Sequence, residues 1–394
     1  LKDRQIARQL GVTAPTAAHW IRSGNEASPP PDIASPPTSP PIPLFKEGIS
    51  GRERRTISDV ARLAKVSTTT VSNYLNDKGH MREQTRVRVK AAIEQLNFSP
   101  NALVRAIQQR QTRVIGVLLF GLYDIDNDKG AAISPPLLTG MNKAADRFRY
   151  DILLYTGWPH RAERSSGLDF LNGSADGLIW VAPNLNEPVL ERVAGAGLPV
   201  VSLLSRHVPD SVGYVNLDNF GAMRALIGHL VEQGHRCIAF AGAVHDSNSL
   251  DRRDGYREAL VAHGLLWDKE LEIVQPENNW DEHKYLPMVK RWLNHPHPPT
   301  AVVAVNDGIA ESIIAVLQRL GWRVPEDFSV SGIDDTPFAR SVAGGLTTIH
   351  QPFRHMGELA VERLIAMIEG TPVEECRITV PGSLVVRATT SPRR

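Results

Sequence analysis

The chain has 394 residues, with 44 Lys and Arg against 43 Asp and Glu, for a formal net charge of +1. That length suggests two or three domains, and 42% hydrophobic residues can supply a sizeable core. There is no apolar run of the ~18 residues needed to span a membrane, so no membrane partner is expected.

Two cysteines, Cys237 and Cys376, cannot build a disulfide framework or a cysteine-rich zinc site. No cofactor and no metal are expected. The opening Leu1-Lys2-Asp3-Arg4 lacks the apolar stretch of a signal peptide, so the expected location is cytoplasmic and nucleoid-associated. The neutral sum hides a division. Residues 51–113 hold 13 Lys/Arg and 5 Asp/Glu, a net of +8. Residues 1–50 hold 5 against 4, and residues 114–394 hold 26 against 34, a net of −8. A basic block ahead of an acidic body suggests a polyanion-binding module joined to something else.

Residues 1–26 contain DRQIARQLGVTAPTAAHWIRSG. Ile6, Ala7 and Leu10, then Gly11-Val12-Thr13, then Ala17, Trp20 and Ile21, give a helix-turn-helix look. The segment reads either as an extra, partial DNA-reading unit or as translated sequence upstream of the true start near residues 49–56. Residues 27–54 follow as a linker, with eight prolines in positions 28–43. Proline fixes φ and lacks a backbone donor, so this stretch is extended or disordered.

Residues 55–99 read as a three-helix headpiece. Thr56 caps a helix on which Ile57, Val60, Ala61 and Ala64 form one apolar face. Ser67 caps a second helix, with Val71 and Leu75 inward. A third is predicted from about Arg82 to Leu96, with Val87, Ala91, Ile93 and Leu96 inward. In a helix-turn-helix, the start of the second helix enters the major groove. Thr68, Thr69 and Asn73 then project outward. Threonine can bond base edges or touch a thymine methyl, and asparagine pairs with adenine. Thr56, Ser67, Thr70 and Ser72 complete the expected DNA-facing set on this unit. Arg82, Thr85 and Arg86 are expected on phosphates, which position without specifying.

TISDVARLAKVSTTTVSNYLN at 56–76, followed by EQTRVRVKAAIEQLNFSPNALVRAI at 83–107, resembles the LacI/GalR family of bacterial transcriptional regulators. STTTVS is most similar to the stretch found in purine repressors of that family. The resemblance covers about residues 55–390. It implies a fold in two parts: an N-terminal all-α helix-turn-helix headpiece, and an α/β two-lobed core like periplasmic sugar-binding proteins, with parallel sheets.

The resemblance also implies a hinge helix at 100–112. In the family this helix pairs with its dimer mate on DNA and wedges an apolar side chain into the minor groove. The matching position is Ile107, with Leu103 one turn earlier. Asn101 and Val104 join the DNA-binding set, Val104 standing where Ala is usual. Lys65 stands where many relatives carry Gly.

Beyond 113, short apolar runs alternate with helical patterns. Runs at 114–119, 151–155, 177–181 and 199–203 precede the same rhythm at 237–241, 271–274, 301–305 and 328–333. Two similar lobes with a ligand cleft at the carboxyl ends of their strands are expected over 113–394. Lobe crossovers are expected near 214, 347 and 371.

Family-like signatures lie at YVNLDNFGA (214–222), SLDRRDGYREAL (249–260), VVAVNDGIA (302–310) and VSGIDDTPFA (330–339). The R-x-x-G-aromatic spacing assigns the effector-gripping arginine of the family to Arg252. Asn306 and Asp334 would complete the polar grip, with Trp280 as a stacking ring. Asp307 and Asp335 can serve structural bonds instead. Asp124 and Ser134, placed in the loop after the first strand, are first-lobe candidates. Enzyme signatures are absent: no G-x-S-x-G, phosphate-loop lysine motif or H-E-x-x-H is present.

The expected function is a sequence-specific, operator-binding regulator, a repressor by reading, switched by a small molecule. A sugar is favoured and a purine is the rival. The competing class is a solute-binding protein of a transport system with the same core. The chain runs out soon after LVVRATTS (384–391), so a homodimer without a tetramerising helix is expected.

Overall fold

The computed structural model describes residues 55–75, 80–98, 111–119, 132–155, 168–243, 246–275 and 282–393. They fall in two units, divided after Pro100.

The first unit holds α1 (Ile57–Ala64), α2 (Thr68–Leu75) and α3 (Glu83–Leu96). Thr56 begins α1 through a capping box. Its hydroxyl accepts from Asp59 N at 3.4 Å, and the Asp59 carboxylate accepts from Thr56 N at 2.9 Å. The Thr56 amide and hydroxyl both donate to the Asp59 carboxylate, and these two bonds hold it below its ordinary pKa. Ser67 Oγ accepts from Thr70 N at 3.1 Å, which satisfies an otherwise unpaired amide at the start of α2.

The core is Val60, Ala61, Ala64, Val71, Val89 and Ala92, with Ile57, Leu75, Ile93 and Leu96 packed against it. The expected inward face of α3 is therefore corrected. Val87 is 57% exposed and Ala91 is exposed. Val89, Ala92, Ile93 and Leu96 repeat at i, i+3, i+4 and i+7, one face of a helix. Val87 is two residues from Val89, which puts it on the far side.

The second unit contains two six-stranded sheets. The first takes β1 (Val114–Leu119), β2 (Asp151–Tyr155), β3 (Gly177–Val181), β4 (Val200–Leu203), β5 (Gly213–Leu217) and β11 (Arg377–Val380), in the order β11-β5-β4-β3-β1-β2. All of its pairings are parallel. The second takes β6 (Ile238–Ala243), β7 (Glu272–Gln275), β8 (Ala301–Ala304), β9 (Ser329–Asp334), β10 (Thr347–His350) and β12 (Ser383–Val385), in the order β12-β10-β9-β8-β6-β7. Only β12 runs antiparallel, against β10. β1 and β3 are buried on both faces, as helix-covered parallel sheets require.

The helices between them are α4 (Ser134–Phe148), α5 (Pro188–Gly195), α6 (Asn219–Glu232), α7 (Ser247–Ala262), α8 (Glu282–Leu293), α9 (Asp307–Arg319) and α10 (Phe353–Ile368). α4 and α10 cover one face of the first sheet. They cross closely: a Cβ on Gly140 would lie 1.9 Å from Arg354 O, and one on Gly357 would lie 2.3 Å from Leu137 O. None of the helices among the described residues is long and apolar enough to cross a membrane.

The chain passes between lobes after Leu217, after His350 and between Val380 and Ser383. The third passage lies beyond the expected 371. β11 still pairs with β5 in the first sheet, Arg377 beside Tyr214, so the chain cannot leave that lobe earlier.

Lys65 ends α1 in the left-handed region, with φ 53° and ψ 50°. A side chain there costs about 1 kcal/mol relative to glycine. Lys65→Gly should therefore raise the opening free energy of the α1 and α2 amides by about that amount in native-state hydrogen exchange. A lower value would contradict this account of the turn.

Candidate nucleic-acid face and effector cleft

On the headpiece, Thr68, Thr69 and Asn73 are exposed, and the four-residue step from Thr69 to Asn73 places both on one side of α2. The other residues expected there are engaged locally. Thr56 caps α1, and the Ser67 and Thr70 hydroxyls lie 2.9 Å apart. Thr70 and Ser72 are half-buried. Arg82 is exposed immediately before α3, and Thr85 is half-buried in its first turn. The Arg86 guanidinium sits 5.8 Å above the Tyr74 ring, which ties α3 to α2. Asn101, Leu103, Val104 and Ile107 lie outside the described residues.

In the core, Arg252 is 5% exposed in α7. Its Nε donates to Asn219 Oδ1 at 2.8 Å, and its Nη1 donates to Val305 O at the end of β8. Asp334, at the end of β9, lies 4.0 Å from Nη1. Gln351 Nε2 donates to Asp334 Oδ1 at 2.6 Å. Burial pushes the Asp334 carboxyl above the ordinary carboxylate range, and Arg252 opposes that push. Asp334 and Asp335 have φ values of 128° and 55°. Two successive residues at positive φ store strain at the strand end.

The remaining candidates separate by what holds them. Asn306 Oδ1 caps α9 by accepting from Ile309 N at 2.9 Å. Asp307 is fully buried and accepts from Thr336 N at 2.8 Å, Thr336 Oγ1 at 2.9 Å and Thr348 Oγ1 at 2.6 Å. Its burial raises its pKa as well. Asp335 accepts from Arg387 and lies 3.0 Å from His350 Nδ1. Ser134 is not in a loop. It is buried and opens α4, and prolines at the next two positions suit a helix start. Asp124 and Trp280 lie outside the described residues.

Four consecutive first-lobe residues bond to the start of α7. Leu204 O accepts from Asn248 Nδ2 at 2.9 Å. Ser205 Oγ lies 2.8 Å from Ser247 Oγ. Arg206 holds Asp251 through two bonds of 2.6 and 2.8 Å, and His207 lies 3.0 Å from the same carboxylate. Asn219, Asn248, Asp251 and Gln351 are not among the residues expected from sequence. Asn219 stands inside the YVNLDNFGA signature, but its contact with Arg252 spans 33 positions and leaves no local trace. A cavity of about 910 Å³ opens nearby, lined from both lobes by Pro135, Pro136, Phe353, Asp335, His350 and Gln351. Arg252 does not line it, and Gln351 connects it to Asp334. Mostly apolar walls with a few convergent polar groups suit a small-molecule site.

Residues 56–101 match the family "Bacterial regulatory proteins, lacI family", and residues 227–390 match "Periplasmic binding protein-like domain". The HTH-type transcriptional repressor PurR of Vibrio atlanticus (strain LGP32) is 30% identical over 85% of this chain and 98% of its own length. Catabolite control protein A of Priestia megaterium is 28% identical over 85% and 99%. Among solved structures, the lac repressor dimer bound to operator and the anti-inducer ONPF is 27% identical, with a TM-score of 0.69 over 86% of this chain and 100% of that one. The transcriptional regulator CelR–cellobiose complex is 28% identical, with a TM-score of 0.63 over 85% and 100%. Headpiece, two-lobed core and sequence agree over the same span: the chain belongs to the LacI family of bacterial regulatory proteins.

Proposed function

We propose that this chain, a DNA-binding transcriptional regulator by family, is a repressor whose operator affinity is switched by a small hydroxyl-rich ligand between its lobes. The carrying observation is the buried Arg252 beside Asp334. The bonds of Arg252 to Asn219 and Val305 use Nε and Nη1 and leave Nη2, and the Gln351 bond leaves Asp334 Oδ2. A donor next to an acceptor matches a hydroxyl, which does both. A neutral sugar matches this pair better than a free anion, because one hydroxyl can serve the donor and the acceptor together. The structure bound to cellobiose among the neighbours is consistent with that choice.

In this reading Asn306, Trp280, Asp124 and Ser134 are secondary ligand contacts, and residues 100–112 form the hinge. Thr68, Thr69 and Asn73 read base edges, while Arg82, Thr85 and Arg86 hold phosphates. Two copies bind a near-palindromic operator. An apolar edge supports the pairing: β2 leaves Leu153 and Leu154 37% and 38% exposed at the end of its sheet.

A thermal-shift panel of mono- and disaccharides against nucleobases tests the ligand class. Sugars alone should raise the melting temperature, and a shift by a purine alone would overturn the sugar reading. Arg252→Ala should weaken the binding sugar by about 10- to 100-fold in calorimetry, as loss of a charge-assisted hydrogen bond implies. Unchanged affinity would contradict the grip.

On DNA, Asn73→Ala should cost about 1–3 kcal/mol per half-site on operator and little on random duplex. Arg82→Ala should weaken both equally and flatten the salt dependence. Equal losses on both duplexes for Asn73→Ala would remove it from base reading.

A further inference from the structure

The Arg252 guanidinium is planar, so fixing two of its nitrogens aims the third. Nε is fixed by Asn219 at 2.8 Å and Nη1 by the Val305 carbonyl. Asn219 is 2% exposed and lies in the first turn of α6, directly after the first passage between lobes. The direction of its amide is dictated. Arginine has no acceptor, so Asn219 must turn its oxygen to Arg252. Its nitrogen then donates to Asn248 Oδ1 at 2.9 Å. Asn248 in turn donates to Leu204 O of the first lobe at 2.9 Å. Leu204 presents that carbonyl from a left-handed backbone, φ 67°. A chain of three hydrogen bonds therefore runs from the first-lobe backbone to the guanidinium in the second lobe.

We propose that Asn219 is the positioning residue of the effector grip: its oxygen aims the Arg252 fork, and its nitrogen ties that fork to the first lobe through Asn248. The two ends of one amide do two different jobs. The oxygen end sets where Nη2 points. The nitrogen end makes that direction depend on where the first lobe sits. The proposal rests on reading Arg252 as the ligand's donor, and it gives that grip a mechanical connection to lobe position. A filler role would need only the volume of Asn219, not the polarity of each end.

The two ends can be separated by substitution. Asn219→Ala removes both. Asn219→Asp keeps an acceptor for Arg252 and loses the donor to Asn248. The readout is the side-chain Nε–Hε signal of Arg252 in the full-length protein labelled with 15N-arginine, assigned by its loss in Arg252→Lys. Arg257 on the same helix, whose Nε donates to Glu272 at 2.7 Å, is the internal reference for folding. In the native chain the Arg252 signal should exchange slowly with water. Asn219→Ala should speed that exchange at least tenfold while Arg257 is unchanged, and Asn219→Asp should restore slow exchange. An Arg252 signal unaltered in Asn219→Ala would overturn the proposal. So would loss of the signal in Asn219→Asp with Arg257 intact. If Asn219→Ala unfolds the lobe, the Arg257 signal is lost too, and Asn219→Leu, which keeps the volume and loses both polar ends, decides: faster Arg252 exchange supports the proposal, and unchanged exchange overturns it. The measurement needs no ligand. Failure of the grip itself, read from Arg252→Ala binding, therefore stays distinguishable from failure of this proposal.

Discussion

A guanidinium that is 5% exposed is the constraint around which the core is arranged. An ionised group withdrawn from water is costly unless its donors are met. Arg252 meets the requirement with groups from three places: Asn219 at a lobe passage, Val305 at a strand end and Asp334 at a neighbouring strand end. Each partner lies where the parallel topology gathers polar groups, at or near the carboxyl ends of strands. The buried charge therefore draws together α6, α7 and the ends of β8 and β9.

The start of α7 faces two ways. Ser247, Asn248 and Asp251 bind the first-lobe residues Leu204 to His207, and the next residue is Arg252. A ligand that engages Arg252 thus acts on the element that holds the lobes together. Energetic coupling requires a physical connection with more than one arrangement. The lobe passages after Leu217, His350 and Val380 are the only covalent links across which such a movement would turn among the described residues.

Much of this was legible from residue order, and the failures have physical causes. The apolar face of α1 is short and strictly periodic, so Val60, Ala61 and Ala64 could be placed inward. α3 is more mixed. Val87 is as apolar as Val89, and only packing against α1 selects the second. The doubly buried strands β1 and β3 stand out as unbroken apolar runs. β10, β11 and β12 are three or four residues long and carry too little pattern to locate the last lobe passage. Arg252 is marked by its spacing to Gly255 and Tyr256. Asn219 is not marked, because its bonding is set by residues far along the chain. Ser134 is the first residue of α4 rather than part of the loop before it, and the two prolines that follow suit the first positions of a helix.

The charge division completes the picture. A headpiece region of +8 precedes a body of −8, so the body opposes the approach of a duplex and the headpiece supplies the attraction. The central claim is that ligand in the cleft and operator on the headpiece share one equilibrium. Reciprocal linkage tests it most directly. The affinity of the binding sugar is measured by calorimetry with and without saturating operator, and operator affinity is measured with and without saturating sugar. The account predicts that both affinities change by the same factor, about 5-fold or more. Sugar affinity that is identical with and without operator would contradict it.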